Sequence, residues 1–324
     1  MPLPEKELIR RIRGQAARLR TSFRGIGIGD DCSVVPVPRG HQALVTTDFS
    51  LENVHFRRAW HPSGSVGQRC LTRGLSDIAA MGGEPQAVFL SLALPRNLPQ
   101  SWVDGFLNGL LKLAEEFKVG LAGGDTAESP SGILADIVVL GSVPKGKAVL
   151  RSGARPGDSI YVTGELGASA AALDLLSRGK KLRPLDYGRH FYPTPRVAVG
   201  RFLREKRLAS AMIDLSDGLS TDLRHVCEES GVGAEIETEA VPLARVGKTA
   251  RSVDLRFALH GGEDYELLFT APAKKKVPAR IAGVAVRKIG VVTPGEKIFL
   301  LNKKGAMQEL QPLGWEHFKK AQAT

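Results

Sequence analysis

The pattern of apolar and polar positions predicts a chain of mixed helices and strands. In the first twenty residues, Leu8, Ile12 and Leu19 fall on one stripe at helical spacing, within a segment that is otherwise basic. A short apolar run that ends in Asp48 predicts a buried strand instead. Helices are predicted at residues 5–20, 65–81 and 101–118, and strands at residues 43–48, 86–94 and 134–143.

The second half of the chain begins after a break in this pattern. Lys, Gly, Arg and Pro concentrate between Pro144 and Asp158, which favours a boundary between two domains. We place the domains at residues 1–146 and 147–324, a division that fits the usual size of domains. Strands are predicted at residues 159–163, 209–213, 234–237 and 266–270, and helices at residues 168–176 and 219–229. Because strands and helices mix without strict βαβ alternation, we expect an α+β fold whose sheets are covered by helices.

The composition excludes several classes of protein. The chain has 324 residues, of which 43% are hydrophobic and 24% charged, as in ordinary globular proteins. No apolar run approaches the roughly 20 residues that span a bilayer, and the charged N-terminus lacks the apolar stretch of a signal peptide. We therefore expect a cytoplasmic protein without membrane contact. Cys32, Cys70 and Cys227 are far apart, so they form neither a disulfide framework nor a Cys-x-x-Cys metal pair.

The net charge of +11 leaves two interpretations open. A basic chain can bind nucleic acid, which would make its affinity sensitive to salt. The excess is not concentrated in one tail, however, and a basic solvated surface also suits small anionic substrates. We expect the second of these, with no nucleic-acid partner.

Short segments that contain Asp, most of them with Gly, recur along the chain and indicate a hard-cation site. Carboxylates and Thr or Ser hydroxyls are the oxygen ligands that suit Mg²⁺, and no His/Cys cluster in the sequence argues for zinc. Four segments directly follow apolar, strand-like residues, where a rigid strand would fix the side chain beyond its end. These residues are Leu44-Val45, Val119–Ala122, Met212-Ile213 and Ala258-Leu259. Each segment alone could instead be a turn. They are Gly29-Asp30-Asp31, Thr46-Thr47-Asp48, Ser76-Asp77, Gly123-Gly124-Asp125, Asp214-Leu215-Ser216-Asp217-Gly218 and Gly261-Gly262-Glu263-Asp264-Tyr265.

Asp77 strengthens the metal interpretation. It shares one stripe of the predicted 65–81 helix with Val66, Cys70 and Met81, so a carboxylate lies on an otherwise apolar face. Burying an unpaired carboxylate is very costly, and the group should therefore be paired or bound to a cation. A buried salt bridge or a hydrogen bond between helices is the alternative.

If the protein binds a nucleotide, it does so without the common phosphate-binding motifs. The sequence contains neither a Walker A loop nor the Gly-rich loop of protein kinases with its partner motifs. Arg151 is a candidate bidentate phosphate donor, although it could equally be a solvated surface residue. His55 closely follows the Asp48 strand and could bind a substrate, or it could be structural.

Taken in order, these motifs resemble the thiamine-monophosphate kinase family over residues 25–318. The resemblance is carried by the acidic segments described above, with their order and rough spacing. It is also carried by Val54-His55-Phe56, by Ser76-Asp77-Ile78-Ala79-Ala80-Met81-Gly82, and by the closing Gly314-Trp315-Glu316-His317-Phe318. The sequence departs from the family at Cys32-Ser33, where Ala is more frequent, and at Leu107, where some members have an aromatic residue near adenine.

The resemblance implies a two-domain, synthetase-like fold. Its N-terminal α/β domain would pair its sheet with that of another subunit to form a barrel, which makes the protein a homodimer. An α+β C-terminal domain would follow, with ATP in a cleft between the domains.

The resemblance also implies the site residues. The metal ligands would be Asp31, Thr46, Thr47, Asp48, Asp77, Asp125, Asp214 and Asp217. ATP would contact Gly124, Asp125, Arg151 and Ser216, and the substrate would contact His55, Glu263 and Trp315. An indole suits this last role, because it can stack on the cationic thiazolium ring of thiamine.

The implied activity is in-line transfer of the γ-phosphoryl group of ATP to thiamine monophosphate, which gives thiamine diphosphate and ADP. Several Mg²⁺ ions would offset the repulsion between the two polyanions. The alternatives are another ATP-dependent synthetase of the same superfamily, such as aminoimidazole ribonucleotide synthetase, and a basic nucleic-acid-binding protein. The second alternative gives no reason for so many acids near predicted strands.

Overall fold

Helices and strands follow one another irregularly in this computed structural model, which describes residues 1–28, 32–315 and 318. The helices are α1 (Glu5–Ala16), α2 (Ser63–Ala80), α3 (Gln100–Glu116), α4 (Ala168–Ser177), α5 (Gly188–Phe191), α6 (Val197–Glu205), α7 (Leu219–Ser230) and α8 (Leu255–His260). The longer strands are β1 (His41–Leu51), β2 (Glu84–Pro95), β3 (Gly120–Ser129), β4 (Leu134–Pro144), β5 (Ser159–Thr163), β6 (Ala211–Asp214), β7 (Gly233–Glu237), β10 (Leu267–Ala271), β12 (Val284–Thr293) and β13 (Ile298–Leu301). Short strands are β8 (Arg245–Val246), β9 (Arg251–Ser252), β11 (Arg280–Ile281) and β14 (Met307–Glu309).

The chain divides into two compact units. The first comprises Met1–Ala148 and Phe191–Val197, and the second comprises Val149–His190 and Ala198–Thr324. The short segment joins the first unit through backbone carbonyls: the Ser65 hydroxyl donates to Phe191 O at 2.6 Å. Each unit has its own hydrophobic cluster.

The sheet of the first unit has the strand order β1-β4-β2-β3. β4 pairs antiparallel with both β1 and β2, and β3 runs parallel to β2. On β1, burial alternates along the strand, so that Thr46 and Asp48 are partly buried while Val45, Thr47 and Phe49 are exposed. This alternation is the period-2 pattern of a strand with one covered face.

Helix α2 covers the sheet of the first unit and crosses α3 closely. Leu71, Leu75 and Ile78 recur at helical spacing and are fully or almost fully buried, which contributes roughly 1.5–3 kcal/mol for each such side chain. A Cβ added at Gly67 would lie 1.9 Å from Phe106 O, so the absence of a side chain there permits the close crossing. The cluster also includes Leu107, which is therefore a core residue.

The larger sheet of the second unit has the order β14-β13-β7-β12-β5-β10-β6, and β11 pairs with β12. Helix α7 packs against it through Leu219, Leu223 and Val226, which are spaced one turn apart and almost fully buried. Ile213 on β6 belongs to the same cluster. The start of α7 is thereby held near the end of β6.

The α+β prediction is confirmed, and each predicted helix and strand is present, with ends that agree to within a few residues. The pattern indicated only the apolar start of β3, since Gly and polar residues dominate the remainder of this strand. It also missed the strands β12 and β13, the shorter strands of the second unit, and the helices α5, α6 and α8. In the part of the chain that the structure describes, no helix is both long and apolar enough to cross a bilayer.

Candidate active site

In the first unit, Thr46 and Asp77 connect the sheet to helix α2. The Thr46 hydroxyl donates a hydrogen bond to Asp77 Oδ2. The connection arises because β1 turns Thr46 towards the face that α2 covers, while Asp77 lies in the last turn of that helix. A strand and a helix thus hold two of the predicted metal ligands in place.

Asp48 lies on the same face and completes a pair of acids with Asp77. Burial and, next, the negative charge of Asp77 together raise the pKa of Asp48 to about 7, against a smaller opposite effect of Arg73. Two neighbouring carboxylates resist simultaneous ionisation. A bound cation would offset that repulsion.

Thr47 has a different partner from Thr46. Its hydroxyl donates to Asp136 Oδ1 on β4 at 2.8 Å, on the opposite face of the sheet. The two threonine hydroxyls therefore reach different acids. Asp136 was missed by the sequence reasoning, although an acid alone in an apolar strand was a signal that could have identified it.

Gly124 and Asp125 lie within β3, beside a pocket with apolar walls. Gly124 has φ 147°, and a Cβ there would lie 1.8 Å from Leu90 O, so glycine is required by both conformation and space. The Asp125 side chain is exposed and accepts the Thr126 N–H at 2.8 Å. The pocket is lined by Ile9, Ile12, Ile28, Leu90, Leu121 and residues 123–126.

His55 lies in the turn that follows β1. Its Nδ1 accepts the Leu51 N–H at 2.9 Å. This bond requires an unprotonated Nδ1, which leaves the proton of the neutral ring on Nε2.

In the second unit, the loop 214–218 joins β6 to α7. Asp214 is the last residue of β6 and is buried. Asp222, in the first turn of α7, accepts the N–H groups of Asp217 and Gly218 at 3.1 and 2.9 Å. Burial raises the pKa of Asp222 well above its usual range, and the charges of Asp214 and Asp217 add to this effect. Asp222 was not predicted, although an acid in the first turn is a known helix-start signal.

The segment 261–265 runs beside this loop. The Glu263 N–H donates to Ser216 O at 2.8 Å, and the Tyr265 N–H donates to Leu215 O at 2.9 Å. Burial raises the pKa of Asp264, which lies between them, to about 7. The predicted substrate residue Glu263 is therefore held against the predicted ATP residue Ser216.

Trp315 is attached to the same loop by its backbone. Its N–H donates to Asp217 O at 3.1 Å, and the preceding Gly314 N–H donates to Thr221 Oγ1 at the same distance. The indole remains 52% exposed. The second unit thus brings Ser216, Asp217, Glu263 and Trp315 together.

The backbone of Arg151 is held elsewhere in the second unit. Its carbonyl accepts from the Ser230 hydroxyl at 3.1 Å, at the C-terminal end of α7. Asp217 precedes the opposite end of that helix. Arg151 is exposed at this position.

Two expectations about the acids need correction. Asp48 and Asp125 lie inside β1 and β3 and not beyond their ends, because the strand ladders continue past them on both sides. Ala258-Leu259, read as strand-like, belong to helix α8. Of these acids, Asp214 alone ends its strand.

The metal ligands do not form a ready cluster. Within residues 1–28, 32–315 and 318, no three His, Cys, Asp or Glu side chains lie close enough together to hold an ion. The predicted ligand Asp31 lies outside the described residues. The donor chemistry nevertheless fits Mg²⁺, because the Asp48–Asp77 pair and Thr46 supply hard oxygen atoms, and two of these three side chains are acids.

Comparison with known proteins identifies the family. The profile described as "AIR synthase related protein, N-terminal domain" matches residues 29–143, and that of the C-terminal domain matches residues 155–302. The thiamine-monophosphate kinase of Haemophilus influenzae is 37% identical over 99% of this chain and 100% of its own length. The chain belongs to the thiamine-monophosphate kinase family. The resemblance inferred from the sequence is thereby confirmed.

Other members of the thiamine-monophosphate kinase family agree with this assignment. The Escherichia coli K12 kinase is 37% identical over 90% of this chain and 92% of its own. The crystal structure of the Stenotrophomonas maltophilia kinase superposes with a TM-score of 0.79 at 33% identity, covering 93% of this chain and 97% of that one. A structure described as "AaThiL complexed with AMPPCP and TMP" gives 0.76 at 32% identity, covering 98% and 97%.

Proposed function

We propose that this protein transfers the γ-phosphoryl group of ATP to the phosphate of thiamine monophosphate, producing thiamine diphosphate and ADP. The observation that carries the proposal is the attachment of Ser216, Asp217, Glu263 and Trp315 to one loop, in a chain of this kinase family. A relative has been solved with AMPPCP, an analogue of ATP, and with TMP.

The reaction needs positioning more than proton transfer. An oxygen of the acceptor phosphate attacks Pγ, and the bond between Pγ and the β–γ bridging oxygen breaks, with ADP as the leaving group. Because the acceptor is already an anionic phosphate oxygen, no strong general base is required. The main obstacle is the repulsion between two polyanions, which rigidly held side chains must overcome by alignment and charge compensation.

Mg²⁺ would supply that charge compensation when bound. In the first unit, Asp48, Asp77 and Thr46 would hold it, with Asp125 as a further ligand. In the second unit, Asp214 and Asp217 are the ligands that we propose. Asp31 is a further proposed ligand, and Thr47, on the opposite face of the sheet, would serve a separate Mg²⁺ ion.

The remaining roles are assigned from chemistry and position. The pocket beside Gly124 has apolar walls and a polar rim at Asp125, which suits a purine base and the sugar attached to it. Arg151 and Ser216 would contact ATP phosphates. His55 and Glu263 would bind thiamine monophosphate, and Trp315 would stack on its thiazolium ring.

The exposed face of the first sheet supports the further proposal that the protein is a homodimer. Val45 and Phe49 on β1 are 66% and 54% exposed, on the face opposite to helix α2. Thr47, which bonds Asp136, lies between them on this face. Exposed large apolar side chains with polar neighbours are a typical association surface. We propose that this face pairs with the same face of a second copy.

An ATP-consumption assay tests the proposed activity. The purified protein is supplied with thiamine monophosphate, thiamine or formylglycinamidine ribonucleotide, each with and without Mg²⁺. We expect ADP and thiamine diphosphate to form only with thiamine monophosphate and Mg²⁺ together. Turnover of the ribonucleotide without turnover of thiamine monophosphate would contradict the proposal.

A further inference from the structure

Two residues of the segment 261–265 adopt backbone conformations that side chains disfavour. Glu263 has φ 64° and Tyr265 has φ 51°. In this left-handed region the Cβ atom is crowded by the backbone, and most residues avoid it. Such strain persists only where the surroundings hold the backbone in place, and it concentrates at functional sites.

The backbone of this segment is anchored on one side by the loop before α7. The N–H groups of Glu263 and Tyr265 donate to Ser216 O and Leu215 O, as described above. Tyr265 is also buried, with 2% of its surface exposed. These contacts hold the N–H groups of Glu263 and Tyr265, on either side of Asp264.

Asp264 supplies the second anchor, on the other side. Its Oδ2 accepts the Gly167 N–H at 2.6 Å, and its Oδ1 accepts the Ser169 N–H at 3.5 Å. Both donors lie at the start of α4, where N–H groups lack partners within the helix and the helix dipole favours a negative charge. The carboxylate therefore draws the middle of the strained stretch towards α4.

We propose that Asp264 is the positioning residue for Glu263. By binding the N-terminus of α4, Asp264 holds Glu263 in its left-handed conformation and so fixes the direction in which the Glu263 side chain meets thiamine monophosphate. This role rests on the proposed function, in which Glu263 contacts that substrate. Asp264 itself does not contact the reacting atoms.

Binding measured without turnover tests this role. Thiamine monophosphate is titrated into the full-length protein in a calorimeter, and KM and kcat are measured separately. For Asp264→Ala we expect Kd and KM for thiamine monophosphate to rise at least about tenfold, because a change of this size corresponds to the loss of one strong hydrogen bond. The KM for ATP should change little. For Asp264→Asn we expect values within about threefold of the unaltered protein, since its amide oxygen can still accept the Gly167 N–H.

Asp254 offers a matched control in the same unit. It caps helix α8 by accepting the Arg256 N–H at 2.9 Å, so Asp254→Ala also removes a carboxylate from a helix N-terminus. We expect this variant to lose some thermal stability and to bind thiamine monophosphate normally. A purely structural role for Asp264 would make the two alanine variants alike.

Each outcome is decisive. If the folded Asp264→Ala protein binds thiamine monophosphate as tightly as the unaltered protein, or if Asp254→Ala weakens binding equally, the positioning role is wrong. If Asp264→Ala does not fold, Asp264→Ser is measured in its place, because its shorter side chain cannot reach Gly167 N. An unaltered protein that binds no thiamine monophosphate would overturn the proposed function, and the positioning role with it.

Discussion

Thr46 and Asp77 are joined by a hydrogen bond between strand β1 and helix α2, although 31 positions separate them in the chain. The bond fixes the orientation of the Asp77 carboxylate beside Asp48. The strand and the helix thereby hold both acids in place before a cation binds, so that cation binding does not have to order them. Preorganisation of this kind is what a phosphoryl-transfer site requires.

Asp77→Asn tests whether the carboxylate charge is needed. The amide oxygen can still accept the Thr46 hydroxyl, so we expect a folded protein whose kcat falls by about 10² or more as cation binding weakens. The measurement is turnover as a function of Mg²⁺ concentration, with thermal unfolding as a check on folding. The control is Thr46→Val, which removes the hydrogen bond but keeps the charge of Asp77. Its kcat should fall less than that of Asp77→Asn. Near-normal turnover of Asp77→Asn at limiting Mg²⁺ would count against the metal assignment.

Asp48→Asn should separate stability from activity. Asp48 is partly buried next to Asp77, so the neutral amide removes a repulsion from the protein without Mg²⁺. We expect its free energy of unfolding to rise by about 1 kcal/mol while activity is lost, as at other sites that trade stability for function. Urea denaturation measures the change. Asp104→Asn, which removes a surface ion pair with Arg11, should give no such gain.

Asp222→Ala should loosen the loop 214–218. The variant leaves the N–H groups of Asp217 and Gly218 without their acceptor, and we expect a loss of about 1–3 kcal/mol of stability. Binding of Mn²⁺, as a spectroscopic probe for Mg²⁺, should weaken as well. Asp222→Asn keeps one acceptor oxygen, so its stability and its Mn²⁺ affinity should lie between those of the unaltered protein and those of Asp222→Ala. Unchanged Mn²⁺ affinity in a folded alanine variant would show that the loop does not depend on this residue.

The stability of the protein should fall as the pH rises from about 4 to about 7. In the folded protein burial raises the pKa of Asp264 to about 7, from an ordinary value of 3.8. Between these values the unfolded chain releases the proton that the folded protein retains, so unfolding becomes easier as the pH rises. In Asp264→Asn this contribution is absent. The urea midpoint of the unaltered protein should therefore fall relative to that of Asp264→Asn as the pH rises across the window, and parallel profiles would contradict the shift.

Phe49→Asp should produce a monomer if the exposed face of the first sheet is the dimer interface. A carboxylate buried in an apolar interface without a partner costs several kcal/mol, enough to dissociate most dimers. Light scattering during size-exclusion chromatography measures the mass. Leu185→Asp changes a residue of the second unit that is 87% exposed, and it should leave the dimer intact. A dimer that survives Phe49→Asp would place the interface elsewhere.

Local sequence determined most of the elements and the type of chemistry. Apolar spacing was sufficient for helices such as α2 and α7, because burying one face of a helix requires that spacing. The residue types Asp and Thr also indicated an oxygen-rich cation site before any contact was known. The order of the motifs then identified the family.

Only the tertiary structure decided which acids have partners. Asp48 and Asp77 meet because β1 packs beneath α2, and Asp136 binds Thr47 because β4 pairs with β1 in one particular register. The sequence did not predict that Asp222 binds the loop 214–218, because this contact depends on the position of α7 at the end of β6. Periodicity along a chain reports which face of an element is buried, whereas the partner of a side chain depends on which distant element covers that face.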